Sequence, residues 1–277
     1  MPESVAGGPP CPLCGGRGWV VSRDGGGGTA RECDCRRRER APRLVAAAGI
    51  PEGYRAKKLS NFKTSGEPGV SAAMQRALAL STAYVESFLH TDGSFATHGL
   101  LYSGPAGCGK THLAAGVLAE LIARYQVRGR FVNLTFLVQE LQGTFDGGSS
   151  TSREGLLRPI LLAQVVVLDE LGAQKPSQWV MDLLYYLIDT RYSERRATIF
   201  TTSCSLEEPL FGPPRQQENL DRGADQPGRR IALAQRIDAS LVSRLYEMTE
   251  RIPMDAVPDF RREVADRGLR TRLAARR

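Results

Sequence analysis

The sequence predicts an α/β protein in which helices flank a parallel sheet built around a phosphate-binding loop. Three observations predict it. Residues 104–111 read Gly-Pro-Ala-Gly-Cys-Gly-Lys-Thr, a complete G-x-x-x-x-G-K-[ST] pattern. Gly99-Leu100-Leu101-Tyr102 before it suits a buried strand, and after it Leu113, Val117, Leu118, Leu121, Ile122 and Tyr125 form one helical stripe. Downstream, Val165-Val166-Val167-Leu168 is a β-branched run ending in Asp169 and Glu170, the pattern of a central parallel strand with acids at its C-terminal edge.

Each residue of the loop has an expected task. The stretch Gly104, Pro105, Ala106, Gly107, Cys108 and Gly109 curls at its glycines, so that backbone N–H groups point at phosphate oxygens and the following helix adds partial positive charge. Lys110 then reaches the β- and γ-phosphates, Thr111 ligates Mg²⁺, and His112 completes the nucleotide-binding set. Asp169 is expected to hold the magnesium shell and Glu170 to orient and deprotonate the attacking water. Two acids side by side argue for hydrolysis over transfer to an acceptor. The alternative for Glu170 is a solvated acid at a strand end.

Gly129 to Leu134 and Ala197 to Ser203 supply two further strands, the second after an amphipathic helix from about Ser177 to Arg191. A helix from Leu134 to Phe145 and a loop from Gly147 to Arg153 lie between the second and third strands. Ser203 ends its strand beside the expected γ-phosphate, where a hydroxyl can sense that phosphate; hydroxyls are also common at any strand end.

Four of the six cysteines are N-terminal, as Cys11-Pro-Leu-Cys14 and Cys33-Asp-Cys35, while Cys108 and Cys204 fall in the core. The first pair, followed by two glycines, reads as a zinc knuckle, and the four thiolates are expected to bind one Zn²⁺ in a closed tetrahedral shell. Such a shell activates no water, so docking is the expected role of the module, with single-strand DNA binding as the competing use. Residues 1–45 are too few for an apolar core and depend on the metal to fold. Neither a signal peptide nor an apolar run of membrane length occurs, which predicts a cytoplasmic protein without a disulfide framework or membrane attachment.

The net charge of +7 is concentrated at the C-terminus, where residues 261–277 carry seven arginines against Glu263 and Asp266. That tail is a candidate phosphate-contacting segment or a solvated arginine-rich end. Aromatic residues make up only 7% of the chain and do not interleave with the tail, so no stacking platform for a single strand is visible.

Taken together, Gly104–Thr111, Val165–Gly172, Trp179 with Leu187–Tyr192, Ser243–Met248 and Asp259–Arg261 resemble the AAA+ ATPases of the bacterial replicative-helicase loader group, the DnaC/DnaI type, which is related to the IstB transposition helpers. The N-terminal Ile50–Arg55 followed by Phe62 resembles the segment that joins a zinc module to the ATPase core in that group. The resemblance implies a five-stranded sheet, ATP as the nucleotide, and Arg244 as an arginine finger offered to a neighbouring subunit; the alternative is a helix salt bridge to Glu247. Arg261 resembles a second sensor arginine. The implied partners are the replicative hexameric helicase, bound through the N-terminal region, single-stranded DNA, and further copies of the chain joined at the ATP site. Two rival functions are an IstB-like helper of a DNA transposase and a nucleotide-binding adaptor with negligible hydrolysis. The adaptor is favoured by Ser203, where the family usually presents asparagine. The expected organisation is a zinc module (1–45), a linker and helix (46–95), an ATPase core (96–262) with a disordered insertion at 205–231, and a basic tail (263–277) too short for a full lid.

Overall fold

The structure, a computed structural model, describes residues 11–24, 27–144, 152–173, 176–206 and 230–262. The basic tail with the question of a lid, most of the 205–231 insertion, and most of the 147–153 loop lie outside these residues.

The chain opens with an antiparallel hairpin, β1 (Trp19–Asp24) and β2 (Gly27–Glu32), in which Trp19 pairs with Glu32. Helix α1 (Asp34–Ala47) follows directly, then α2 (Glu52–Arg55), a 3-10 turn at Leu59–Asn61 and α3 (Pro68–Ser87). The core begins with β3 (Gly99–Ser103) and α4 (Lys110–Tyr125), and continues with β4 (Gly129–Asn133), α5 (Leu134–Gly143) and α6 (Arg153–Leu162). It closes with β5 (Val165–Asp169), α7 (Gln178–Ser193), β6 (Ala197–Thr202), α8 (Ala239–Met248) and β7 (Thr249–Pro253). Five strands form one parallel sheet in the order β4-β5-β6-β3-β7.

Successive side chains on a strand point to opposite faces, and this alternation divides the interior in two. Leu100, Tyr102, Val165, Val167 and Ile199 pack with α3 and α4, together with Leu44 and Val45 of α1. Leu101, Val166, Leu168 and Phe200 pack with α5 to α8 on the other face. Burial on both faces explains why β5 reads as an unbroken apolar run. Among the described residues no helix is long and apolar enough to cross a membrane.

The structure differs from the expectations in several places. Residues 46–95 are woven into the core, where Ile50, Leu59, Phe62, Met74 and Phe88 are buried in the same cluster as the phosphate-loop helix. The expected boundary at residue 45 falls inside α1, which runs unbroken from Asp34 to Ala47. Helix α6 was not anticipated, since Pro159 lies within it. The fifth strand, β7, is the polar string Thr-Glu-Arg-Ile-Pro, with only Thr249 and Ile252 buried.

Arg191 is a buried cation with no carboxylate among its hydrogen-bond partners in the described residues. Its guanidinium donates to Thr198 Oγ1 at 2.8 Å and to the carbonyls of Ile160 (2.9 Å), Ala163 (2.9 Å) and Ala197 (2.7 Å). Burial works against its charge, and these four oxygens offset that cost while tying α7 to the end of α6 and the start of β6. Replacing Arg191 by Met leaves the oxygens without their donors, and the expected loss is about 3 kcal/mol of unfolding free energy. Urea denaturation of the two proteins measures it.

Candidate functional site

The phosphate loop joins β3 to α4 at the C-terminal edge of the sheet. Gly104, Gly107 and Gly109 all have positive φ, at 158°, 75° and 99°. At Gly107 and Gly109 close neighbours compound the restriction, because a Cβ would collide with the Asp259 carboxylate and with the Phe62 ring respectively. The buried Lys110 donates from Nζ to the carbonyls of Gly104 (2.8 Å) and Pro105 (2.7 Å) and lies 3.8 Å from Cys108 Sγ. Cys108 is fully buried beneath the loop, so this residue offers a ligand its backbone alone.

Strand order brings the acids to the loop. β6 lies between β3 and β5, so its C-terminal end stands between the phosphate loop and Asp169. Asp169 Oδ1 accepts from Thr111 Oγ1 at 3.0 Å and from Thr201 Oγ1 at 2.6 Å. Burial pushes the Asp169 carboxyl up in pKa against these two hydrogen bonds, and burial pulls Lys110 down. Each group therefore gains from a ligand of opposite charge, a divalent cation beside Asp169 and a phosphate beside Lys110. Thr111 and Asp169 are the hard oxygen donors that Mg²⁺ takes.

Glu170 sits at φ 65°, a left-handed conformation unusual for a residue with a side chain. Two contacts hold it there: its N–H donates to Thr201 Oγ1 (3.0 Å), and its Oε2 accepts from Asn133 Nδ2 (3.0 Å). Asn133 also caps α5, accepting from the Phe136 N–H at 3.2 Å. Sequence reasoning passed over both Thr201 and Asn133. The register of β5 on β6, with Leu168 opposite Phe200, carries the signal for Thr201, since it sets Asp169 opposite that residue. Asn133 is paired with Asp169 in the same way on the other side.

A cavity of about 590 Å³ opens over the loop, within the range of small-molecule sites. Ser203 lines it as an exposed residue just beyond β6. Arg261 lines it as well and donates to Tyr54 Oη at 3.2 Å. The opposite wall comes from the segment before the core, through Lys57, Asn61 and Phe62. His112 turns toward that wall, with Nε2 at 2.9 Å from the Lys58 carbonyl and its ring edge-on to Phe62. It thus joins the wall to the loop. Arg244 is elsewhere: α8 packs on the face of the sheet opposite α4, and Arg244 pairs with Asp189 at 2.9 Å. The alternative partner, Glu247, accepts from Tyr192 Oη instead.

The four N-terminal cysteines converge, with all Sγ atoms within 4.8 Å of one another. Cys11 and Cys33 are 3.7 Å apart and Cys14 and Cys35 are 3.4 Å apart. Four thiolates at about 2.3 Å from Zn²⁺ have tetrahedral edges of about 3.8 Å, so the cluster fits the metal. Both separations far exceed a disulfide bond of about 2.0 Å. Gly15, Gly16 and Gly18 have positive φ, and the Gly18 amide donates to Cys14 Sγ at 3.2 Å, while the amides of Leu13 and Cys14 reach Cys11 and that of Cys35 reaches Cys33.

Residues 34–212 match the family described as IstB-like ATP binding protein. The replicative helicase loader DnaC of Escherichia coli K12 is 28% identical over 187 residues, covering 65% of this chain and 70% of that protein. The loader of Buchnera aphidicola from Acyrthosiphon pisum is 28% identical over 159 residues; the match covers 56% of this chain and spans 59% of that relative's length. The crystal structure of the DnaC helicase loader superposes with a TM-score of 0.55 at 28% identity, over 73% of this chain and 99% of that one. The DnaI crystal structure shares the fold, with a TM-score of 0.54 at 21% identity over 74% of this chain and 94% of that one.

Two outcomes are expected from this geometry. Thr201→Val removes the hydroxyl that Asp169 and the Glu170 amide share, and titration of nucleotide binding with Mg²⁺ should show the apparent metal affinity lowered about tenfold. Native mass spectrometry should find about one zinc per chain, lost together with the β1–β2 circular-dichroism signal in a strong chelator.

Proposed function

This chain belongs to the IstB-like ATP-binding protein family, and we propose from that premise that it is an ATPase that loads or remodels a replicative hexameric helicase on single-stranded DNA. The contact of Thr111 with Asp169 beneath the phosphate loop carries the nucleotide half of the reading. The likeness in sequence and structure to the DnaC helicase loader supports the choice of partner.

In this reading the loop amides and Lys110 bind the ATP phosphates, and Thr111 with Asp169 holds Mg²⁺, which when bound neutralises charge on the phosphate oxygens. Glu170 takes the proton of the attacking water. Asn133 holds that carboxylate until the water is in line. Ser203 and Arg261 face the γ-phosphate from the cavity walls, and Arg244 serves a neighbouring subunit, coupling hydrolysis to assembly. Cys11, Cys14, Cys33 and Cys35 hold Zn²⁺ and make the hairpin the dock for the helicase. Contact with single-stranded DNA comes from basic side chains around the pore of the assembly.

A second reading, an ATPase helper of a DNA transposase that shares the core and differs in its partner, is supported by the match to the IstB-like family together with the resemblance to the IstB transposition helpers. Ser203, standing where the family usually presents asparagine, favours a third, an adaptor that binds nucleotide with negligible turnover.

Co-elution with the host's hexameric helicase separates these readings. The wild type with ATP should form the complex, Lys110→Ala should bind no nucleotide, and the double variant Cys11→Ser/Cys14→Ser should bind ATP yet lose the helicase. Substitution is preferable to truncation at residue 45 because α1 packs on the core. No complex in any nucleotide state would move the assignment to the transposase helper. Turnover stimulated by single-stranded DNA excludes the adaptor.

A further inference from the structure

We propose that Asp189 and Tyr185 are positioning residues for Arg244, holding its guanidinium at the angle from which it reaches a neighbouring subunit's triphosphate. The proposal rests on the reading of Arg244 as an arginine finger. It gives a task to the Leu187–Tyr192 motif, which the nucleotide pocket leaves unused.

Tyr185, Asp189 and Tyr192 stand at i, i+4 and i+7 on α7, one stripe of the helix, and Arg244 of α8 lies along it. Asp189 Oδ1 is 2.9 Å from Arg244 Nε, as an ion pair without the alignment of a full hydrogen bond. Arg244 Nη2 donates to Tyr185 Oη at 2.9 Å, and the guanidinium carbon stands 4.9 Å from the Tyr185 ring centroid and 5.9 Å from that of Tyr192. Among the described residues Nη1 makes one long contact, 3.4 Å to the Ser240 carbonyl. A guanidinium has five N–H donors, so each terminal nitrogen keeps one to offer outward. The side chain is 24% exposed, enough for an outside ligand to reach it.

Two further features fit a positioned side chain better than a structural ion pair. Asp189 is 38% exposed, and a pair that open to solvent contributes at most about 1 kcal/mol to stability, a weak reason to hold one arginine with three residues. The Tyr192 hydroxyl meanwhile engages Glu247 at 2.8 Å, drawing aside the carboxylate that local helix geometry would have placed on Arg244. One acid and two ring faces orient the guanidinium and leave its outer edge open. A second acid would compete with phosphate for that edge.

The experiment is ATP turnover by the full chain at assembling concentrations, for Asp189→Asn, Tyr185→Phe and Arg244→Ala, each alone and mixed with Lys110→Ala. Nucleotide affinity and melting temperature are measured beside it. Asp189→Asn should bind nucleotide as the wild type does and lose about 10- to 100-fold in turnover, the scale of a misplaced catalytic group. Tyr185→Phe, which keeps the ring, should lose less. A Lys110→Ala subunit has no working nucleotide site but carries an intact finger, so adding it should restore turnover per Asp189→Asn subunit in proportion to its fraction. A change confined to the variant's own fold would not respond to the partner. Loss without restoration overturns the proposal, as does wild-type turnover by Asp189→Asn when Arg244→Ala is defective and rescued in the mixture. Wild-type turnover by Arg244→Ala at every protein concentration sinks the finger itself, a failure distinct from that of its positioning.

Discussion

One carboxylate oxygen holds the site together. Asp169 Oδ1 accepts from Thr111 on the phosphate-loop helix and from Thr201 on the neighbouring strand, so a single buried charge joins α4, β5 and β6. A charge removed from water is costly unless its surroundings supply donors or a counter-ion. The two hydroxyls supply the donors without neutralising the charge, and the site retains its attraction for a cation. The same Thr201 hydroxyl accepts the Glu170 amide and thereby pins a residue whose left-handed backbone would otherwise relax. Strand order is what makes this economy possible, since only with β6 beside β5 does one threonine reach two successive acids.

The two faces of the sheet carry different loads. On one, α4 presents the loop, and the N-terminal elements build the outer wall of the cavity around it. On the other, α7 and α8 present Arg244, and the buried Arg191 fixes that layer by gathering loose carbonyls where three elements end. The loop and Arg244 thus lie on different parts of the molecule, and in the proposed assembly each interface would join unlike surfaces.

Much of this was legible in the residues, and the remainder was hidden for identifiable reasons. The loop, its flanking strand and helix, and the acid-terminated β5 are local patterns that declare themselves within a dozen residues. Thr201 and Asn133 are not local: their importance comes from register between strands distant in the chain. β7 escaped because its apolar content is spread over a polar string, and α6 because Pro159 interrupts the helical pattern. The segment at 46–95 read as a linker, since its apolar residues, Leu59, Phe62 and Met74, are too scattered to show a face before the partner surface is known. Arg244 was legible as a candidate from resemblance, while its pairing with Asp189 in place of Glu247 depends on how α7 packs against α8.

Helix α1 is continuous from Cys35 of the four-cysteine cluster to Ala47, and the chain then fastens to β4 twice: the Phe131 amide donates to the Ala48 carbonyl at 2.7 Å, and Arg130 Nη1 donates to the Ala47 carbonyl at 2.8 Å. In mechanical terms α1 is a strut of roughly 21 Å, its hydrogen-bonded turns interrupted at Pro42, which has no amide to donate. Force applied to the hairpin travels down it and arrives at β4. That strand is one of the two edges of the sheet, paired with β5 alone, and its last residue is Asn133.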